Sequence, residues 1–125
     1  MQYGEIIDKV NDDLGLDDRD RASSIVVNTL ELIGQRVAGN EPANLAAQLP
    51  RELQEPLTRH AGSAETFDVD EFLRRLAQLE GAGVGPDSAR RHAQTVLATI
   101  GTFVSTGELD DVRAQLPAGF APLFA

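Results

Sequence analysis

The sequence has no cysteine and no tryptophan, and only 5% of its 125 residues are aromatic. Without cysteine the chain cannot form a disulfide, a thiolate metal site or a cysteine nucleophile. The scarcity of aromatic residues predicts a core built mainly from aliphatic side chains. A chain of this length buries such a core without covalent support. The sequence therefore predicts a single domain over residues 1–125.

Basic residues and long apolar runs are also scarce. Twenty acidic residues against eleven basic ones give a formal net charge of -9, a field that repels phosphate groups. No stretch approaches the roughly 18 consecutive apolar residues of a membrane span. Residues 1–15 lack the basic start and apolar run of a secretory signal. We therefore expect a cytoplasmic protein that has neither nucleic acid nor a membrane as its partner.

The sequence does contain an internal repeat, with a spacing of 67 residues. The block Ala-Gln-Leu-Pro at residues 47–50 returns at residues 114–117, and upstream apolar positions mostly keep their character. This pattern predicts two homologous units, approximately residues 1–60 and 66–125. The repeated positions to which we assign a structural role are Gly34, Glu41, Gln48 and Pro50, with their partners Gly101, Glu108, Gln115 and Pro117.

Within each unit the apolar residues recur with a helical period and nowhere alternate as in a strand. The pattern predicts helices in the order long, long, short, short. The fold class is therefore all-α, a compact bundle of two four-helix units related by pseudo-two-fold symmetry. Gly107 is expected to stop the second long helix, and Pro50 and Pro117 to end the short helices. Gly34 and Gly101 lie in long helices, where glycine is costly, so we expect a close helix contact there.

No motif in the sequence forms a coherent catalytic or metal-binding set. The acidic residues 11–20 do not fit a calcium-binding EF-hand loop, because the glycine falls one place early and position twelve is Ala22. The glycines of residues 81–86 lack the spacing of a phosphate-binding loop and indicate a turn. His92 stands on an apolar stripe and His60 in a polar loop, without the spacing of metal ligands. We expect no catalytic residue, metal or cofactor, and a non-enzymatic role is favoured.

Two groups of polar residues leave alternatives open. Arg74, Arg75, Arg90 and Arg91 either form an anion site or are solvated partners of nearby acids, and the second interpretation is favoured. Gln48 and Gln115 either line a ligand site between the units or bond to loop backbone near the prolines. The structural role is favoured here as well.

Three apolar residues lie outside the main helical stripes and are not apolar in the other copy. They are Val27, Leu32 and Phe103. They predict a contact between the units or an interaction surface for a protein partner or a second copy of the chain. The leading hypothesis is accordingly a protein-interaction or scaffold module. The alternative is a small-molecule or anion-binding protein, or a minor enzyme, with a pocket between the units.

The blocks NEPANLAAQLP and GELDDVRAQLP, each after a long apolar helix, and the terminal PLF resemble a bacterial family known as domain of unknown function 2267. The resemblance spans nearly the whole chain and implies a small all-helical bacterial protein. The second copy has Gly107 and Arg113 where the first has Asn40 and Ala46. The family has no established activity, so the resemblance assigns no site residue.

Overall fold

The computed structural model describes residues 2–62 and 64–124, and in these residues it contains only helices. In chain order these are α1 (Tyr3–Leu14), α2 (Arg19–Arg36), α3 (Glu41–Ala46), α4 (Arg51–Thr58), α5 (Val69–Glu80), α6 (Pro86–Gly101), α7 (Thr106–Ala114) and a C-terminal 3₁₀ helix (Ala118–Phe124). The prediction of an all-α fold is confirmed.

Helices α2 and α6 lie at the centre of the molecule and pack against each other. Helix α2 also contacts α1, α4 and α5, and α6 also contacts α1, α5 and the 3₁₀ helix. The short helices α3 and α7 contact one another away from this centre. The core is almost wholly aliphatic, with one edge-on aromatic pair whose ring centroids, Phe72 and Phe120, lie 5.6 Å apart. Within the described part of the chain, no helix combines the length and apolarity needed to cross a bilayer.

Short polar side chains set where several helices begin. The carboxylates of Asp18 and Asp68 accept hydrogen bonds from the backbone N–H groups three residues on, and the hydroxyl of Ser105 does the same for α7. Each bond satisfies an amide that the helix itself leaves unpaired. Pro86 is the first residue of α6, a position where the helix does not use the backbone N–H that proline lacks.

The long helix predicted to stop at Gly107 ends earlier. Helix α6 ends at Gly101, and Gly107 lies inside α7 instead of stopping the helix before it. Since the Ser105 side chain caps α7, the chain has already turned before it reaches Gly107. The short helices α3 and α7 end at Ala46 and Ala114, before the chain reaches Pro50 and Pro117. The two prolines instead directly precede α4 and the 3₁₀ helix.

The two repeated glycines differ in what surrounds them. A Cβ atom on Gly34 would lie 2.3 Å from the backbone oxygen of Leu57, so α4 crosses α2 against bare backbone. A Cβ atom on Gly101 would meet only the side-chain Cδ2 of Leu109, at 3.2 Å. The predicted close contact with another helix is therefore present at both glycines, with the backbone of α4 at Gly34 and with a side chain of α7 at Gly101.

Candidate functional site

A polar groove lies between α2 and α5. It has a volume of about 590 Å³. Because α2 begins at the Asp18 cap and α5 ends at Glu80, the groove is formed by the start of one helix and the end of another. The residues that line it are Asp18, Asp20, Arg21, Ser24, Ile25, Asn28, Leu79 and Glu80.

Glu80 joins this groove to a buried histidine. Its side chain is only 3% exposed, and the side chain of His92, on α6, is 7% exposed. Nδ1 of His92 donates a hydrogen bond to Oε1 of Glu80 over 2.5 Å. Two ionisable groups are rarely removed from water together unless they are paired. The polar residue on the apolar stripe of α6 is thus held by an acid from α5.

The second carboxylate oxygen of Glu80 has no such partner. Oε2 is buried and accepts no hydrogen bond from the described residues. Burial raises the pKa of Glu80 above its ordinary value, and the charges of His92 and Arg21 partly oppose that rise. A buried acceptor with an altered pKa beside a cleft is the arrangement found at many binding and catalytic sites. It can accept a hydrogen bond from a bound molecule or hold a proton.

Two smaller depressions lie elsewhere on the surface. One, of about 420 Å³, lies between α7 and the 3₁₀ helix and is lined mainly by alanine, proline and phenylalanine. The other, of about 290 Å³, lies beside the groove and includes Leu32, Arg75 and Leu79. Neither is lined by a member of a buried ionisable pair, whereas Glu80 lines the groove. The groove at Glu80 is therefore the strongest candidate for a functional site.

The four arginines singled out from the sequence differ in their ion pairs. Arg74 and Arg75 both bind the carboxylate of Glu71, at 2.6 and 2.7 Å, which lowers the pKa of Glu71 to about 2. This agrees with the interpretation of these arginines as partners of nearby acids. Among the described residues, no carboxylate lies within salt-bridge distance of Arg90 or Arg91.

The other histidine takes part in a separate surface cluster. Nε2 of His60 lies 3.1 Å from a carboxylate oxygen of Glu31 and 3.1 Å from the amide nitrogen of Gln35. Arg59 binds the other oxygen of Glu31 at 2.7 Å. These contacts tie the end of α4 to α2, and His60 does not join His92.

The residues predicted as an interaction surface do not form one exposed patch. Leu32 is only 2% exposed and belongs to the core, while Val27 and Phe103 are partly buried against it. The chain's own helices already cover Leu32, so it does not offer the exposed contact for a partner that the sequence suggested. Leu79 is 52% exposed and is the large hydrophobic residue that the described chain leaves most open.

The repeated glutamines bond across the molecule. Oε1 of Gln48 accepts a hydrogen bond from the backbone N–H of Ser105 at 2.7 Å. Oε1 of Gln115 accepts one from the backbone N–H of Ala38 at 2.8 Å. Both bonds go to segments that lead into a short helix, α7 in one case and α3 in the other. The glutamines thus hold loop backbone, as the favoured interpretation states, but in the distant half of the chain.

The repeated acids Glu41 and Glu108 lie in the first turns of α3 and α7. Their carboxylates, far apart in the chain, come together where these two helices meet. They lie apart from the groove, since neither is among its lining residues.

The family comparison covers almost the whole chain. Residues 3–123 match the model of the family described as uncharacterized conserved protein, DUF2267. The chain belongs to this family. No curated protein matches it. Membership of DUF2267 confirms the resemblance seen in the repeated blocks, and it brings no activity with it.

The residues that line the groove could not be predicted from the sequence of this DUF2267 protein. Arg21, Ser24 and Asn28 look like ordinary solvent-facing residues of α2, and Glu80 looks like the polar end of α5. The available signal was His92, because an ionisable residue on an apolar stripe needs a buried partner. Nothing in the sequence identifies that partner twelve residues away on another helix.

Proposed function

We propose that this protein binds a small polar molecule that carries an amine, in the groove between α2 and α5. The observation that carries the proposal is the buried, unpartnered Oε2 of Glu80, a residue that lines the groove. An acceptor in this position lacks a donor, and an ammonium group supplies one. The role is that of a binding protein.

The charges of the groove support a cationic ligand. Three carboxylates line it, from Asp18, Asp20 and Glu80, against the one guanidinium of Arg21. The whole chain carries a formal net charge of -9, which attracts cations at long range. Arg21 forms no salt bridge within the described residues, so it is available to an anionic or hydroxyl group on the same ligand.

Two-dimensional NMR with putrescine and lysine as probes tests this proposal. Butane-1,4-diol and succinate serve as matched neutral and anionic probes. We expect saturable shifts of the amides of Arg21, Ser24 and Asn28 with the amines only, and at least tenfold weaker binding by Glu80→Gln. Glutamine keeps an oxygen that can accept from His92, so this variant should remain folded.

Glu52→Gln is the matched control, because it removes one exposed carboxylate outside the groove. It should bind the amines as the unmodified protein does. Amines that cause no saturable shift up to about 10 mM, a free energy of binding near 3 kcal/mol, would refute the proposal. Equal binding by the Glu80→Gln variant would do the same.

The position of the groove agrees with a two-unit architecture. We infer that residues 1–60 and 66–125 are copies of one four-helix unit related by an approximate two-fold axis, so the groove lies between units. Two pairs of contacts support this: α1 packs on α6 as α5 packs on α2, and Gln48 reaches residue 105 as Gln115 reaches residue 38. In an experimental structure, residues 20–57 should superpose on residues 87–124 after a rotation near 180°.

Exposed Leu79 favours a second candidate function, interaction with a protein partner. Leu79 lies between the groove and the smaller depression and belongs to the lining of both. Val10 matches Leu79 when the first helices of the two copies are aligned 69 residues apart, and it is fully buried, so the first copy does not share the exposure of Leu79. A partner that inserts an apolar side chain beside Leu79 should be lost with Leu79→Asp in a pull-down with quantitative mass spectrometry. It should be kept with Ala98→Asp, which changes an exposed position of α6 outside both depressions.

A further inference from the structure

Three carboxylates meet where α3 and α7 pack together, away from the groove. They belong to Glu41, in the first turn of α3, and to Glu108 and Asp111 in α7. One oxygen from each lies within 4.8 Å of one oxygen of each of the others. The groups come from opposite ends of the sequence, so the folded contact between the two helices creates the cluster.

The carboxylate of Glu108 is not an ordinary surface acid. Glu108 is 9% exposed, its Oε1 is buried, and the described residues donate no hydrogen bond to that atom. Oε2 of Glu41 is also buried and without a donor. Buried carboxylate oxygens are almost always hydrogen-bonded, ion-paired or bound to a metal. Here the two carboxylates lie beside other acids, and no basic group of the described residues forms a salt bridge with either.

The three carboxylates repel one another when all are ionised, because their oxygens lie within 4.8 Å of one another. Burial and the neighbouring carboxylates of Glu41 and Asp111 raise the pKa of Glu108 to about 7. Above neutral pH the three negative charges have nothing to balance them within the cluster.

We propose that Glu41, Glu108 and Asp111 form a binding site for one hard divalent cation. Carboxylate oxygens without nitrogen or sulfur ligands suit Ca²⁺, Mg²⁺ or Mn²⁺. Bond lengths of 2.0–2.6 Å to these ions place two ligand oxygens at most about 5 Å apart, which agrees with the spacing of the cluster. The exposed side of Asp111 leaves room for water to complete the coordination.

The surrounding structure holds the cluster in place before any ion arrives. Gln115 bonds to the segment that leads into α3, and Gln48 bonds to the segment that leads into α7. Little ordering is then needed for binding, and an ion that bridges the two helices strengthens their contact.

Isothermal titration calorimetry at pH 8 with CaCl₂, MgCl₂ and MnCl₂ tests the site in the full chain. We expect one ion to bind with a dissociation constant on the order of 10⁻⁴ M, typical of weak, partly exposed carboxylate sites. Glu108→Gln and Asp111→Asn should each weaken binding at least tenfold. Asp12→Asn removes an exposed carboxylate of α1 and serves as the control of equal charge. It should leave the affinity unchanged.

Thermal unfolding in EDTA separates loss of the site from loss of the fold. Without metal, Glu108→Gln should unfold at a higher temperature than the unmodified protein at pH 8, because it removes the repulsion. The cation should raise the unfolding temperature of the unmodified protein and leave that of Glu108→Gln unchanged. Absence of saturable binding for all three ions at pH 8, or equal binding by Glu108→Gln, would overturn the proposal.

Discussion

Replacing Gly34 by alanine should be one of the most destabilising single-methyl additions in this protein. The new Cβ would lie 2.3 Å from the oxygen and 3.0 Å from the carbonyl carbon of Leu57. These are backbone atoms of α4, so no side-chain rotation relieves the overlap. Because a carbon and an oxygen need more than 3 Å between them, the end of α4 must move about 1 Å away from α2.

The size of the effect follows from two opposing contributions. Alanine in place of glycine inside a helix stabilises it by about 1 kcal/mol. Overpacking a well-filled core costs about 1–3 kcal/mol, and a backbone contact lies at or above the upper end. We expect a net loss of about 2 kcal/mol, which lowers the unfolding temperature of a domain of this size by roughly 6–10 °C.

Gly101→Ala is the matched control for this prediction. Its Cβ meets only the tip of the Leu109 side chain, which is partly exposed and can rotate. We expect its stability to stay within about 0.5 kcal/mol of the unmodified protein. Urea unfolding followed by circular dichroism at 222 nm measures both variants. Equal stability of the two variants, or a Gly34→Ala protein as stable as the parent, would refute the reasoning.

Three further predictions concern polar contacts. In EDTA, the unmodified protein should lose stability relative to Glu108→Gln as the pH rises from about 4.5 to 7. The pKa of Glu108 is higher in the folded protein than in the unfolded chain, so this group favours folding only while it is protonated. Since solvent screens the exposed side of the cluster, we expect the loss in free energy of unfolding to be about 1–2 kcal/mol, measured by urea unfolding at several pH values. Parallel plots of stability against pH for the two proteins would contradict this prediction. Gln48→Ala and Gln115→Ala should each cost about 1 kcal/mol, the worth of one hydrogen bond; an unchanged urea midpoint for either would show that its bond contributes nothing. His92→Phe should lower the free energy of unfolding by about 3 kcal/mol, because it leaves the Glu80 carboxylate buried without its partner. Adding Glu80→Met should recover most of that loss. A double variant no more stable than the single one would argue against a buried pair.

The sequence predicts the helices well because their signals are local. An apolar period of 3.6 residues, an Asp18 or Asp68 cap and a proline at position 86 each act over one or two turns. The error at Gly107 has the same origin. Glycine there resembles a helix stop, but the serine two residues earlier supplies a stronger start signal for the next helix.

The candidate sites are harder to predict because they depend on contacts between distant segments. Glu80 and His92 meet only after α5 and α6 have packed, and Glu41 and Glu108 meet only where α3 contacts α7. The repeat does show that Glu41 and Glu108 are equivalent positions. It does not show that equivalent positions face each other, which depends on how the two halves dock.

The glutamine contacts also turn two backbone amides into reporters of motion. In most helical proteins, hydrogen exchange near the start of a helix measures fraying of that helix. The amides of Ala38 and Ser105 instead donate to side chains 77 and 57 residues away in sequence. Their exchange with deuterium requires the contact around α3 and α7 to open. Exchange rates at these two positions therefore measure the free energy of that opening while the rest of the molecule stays folded.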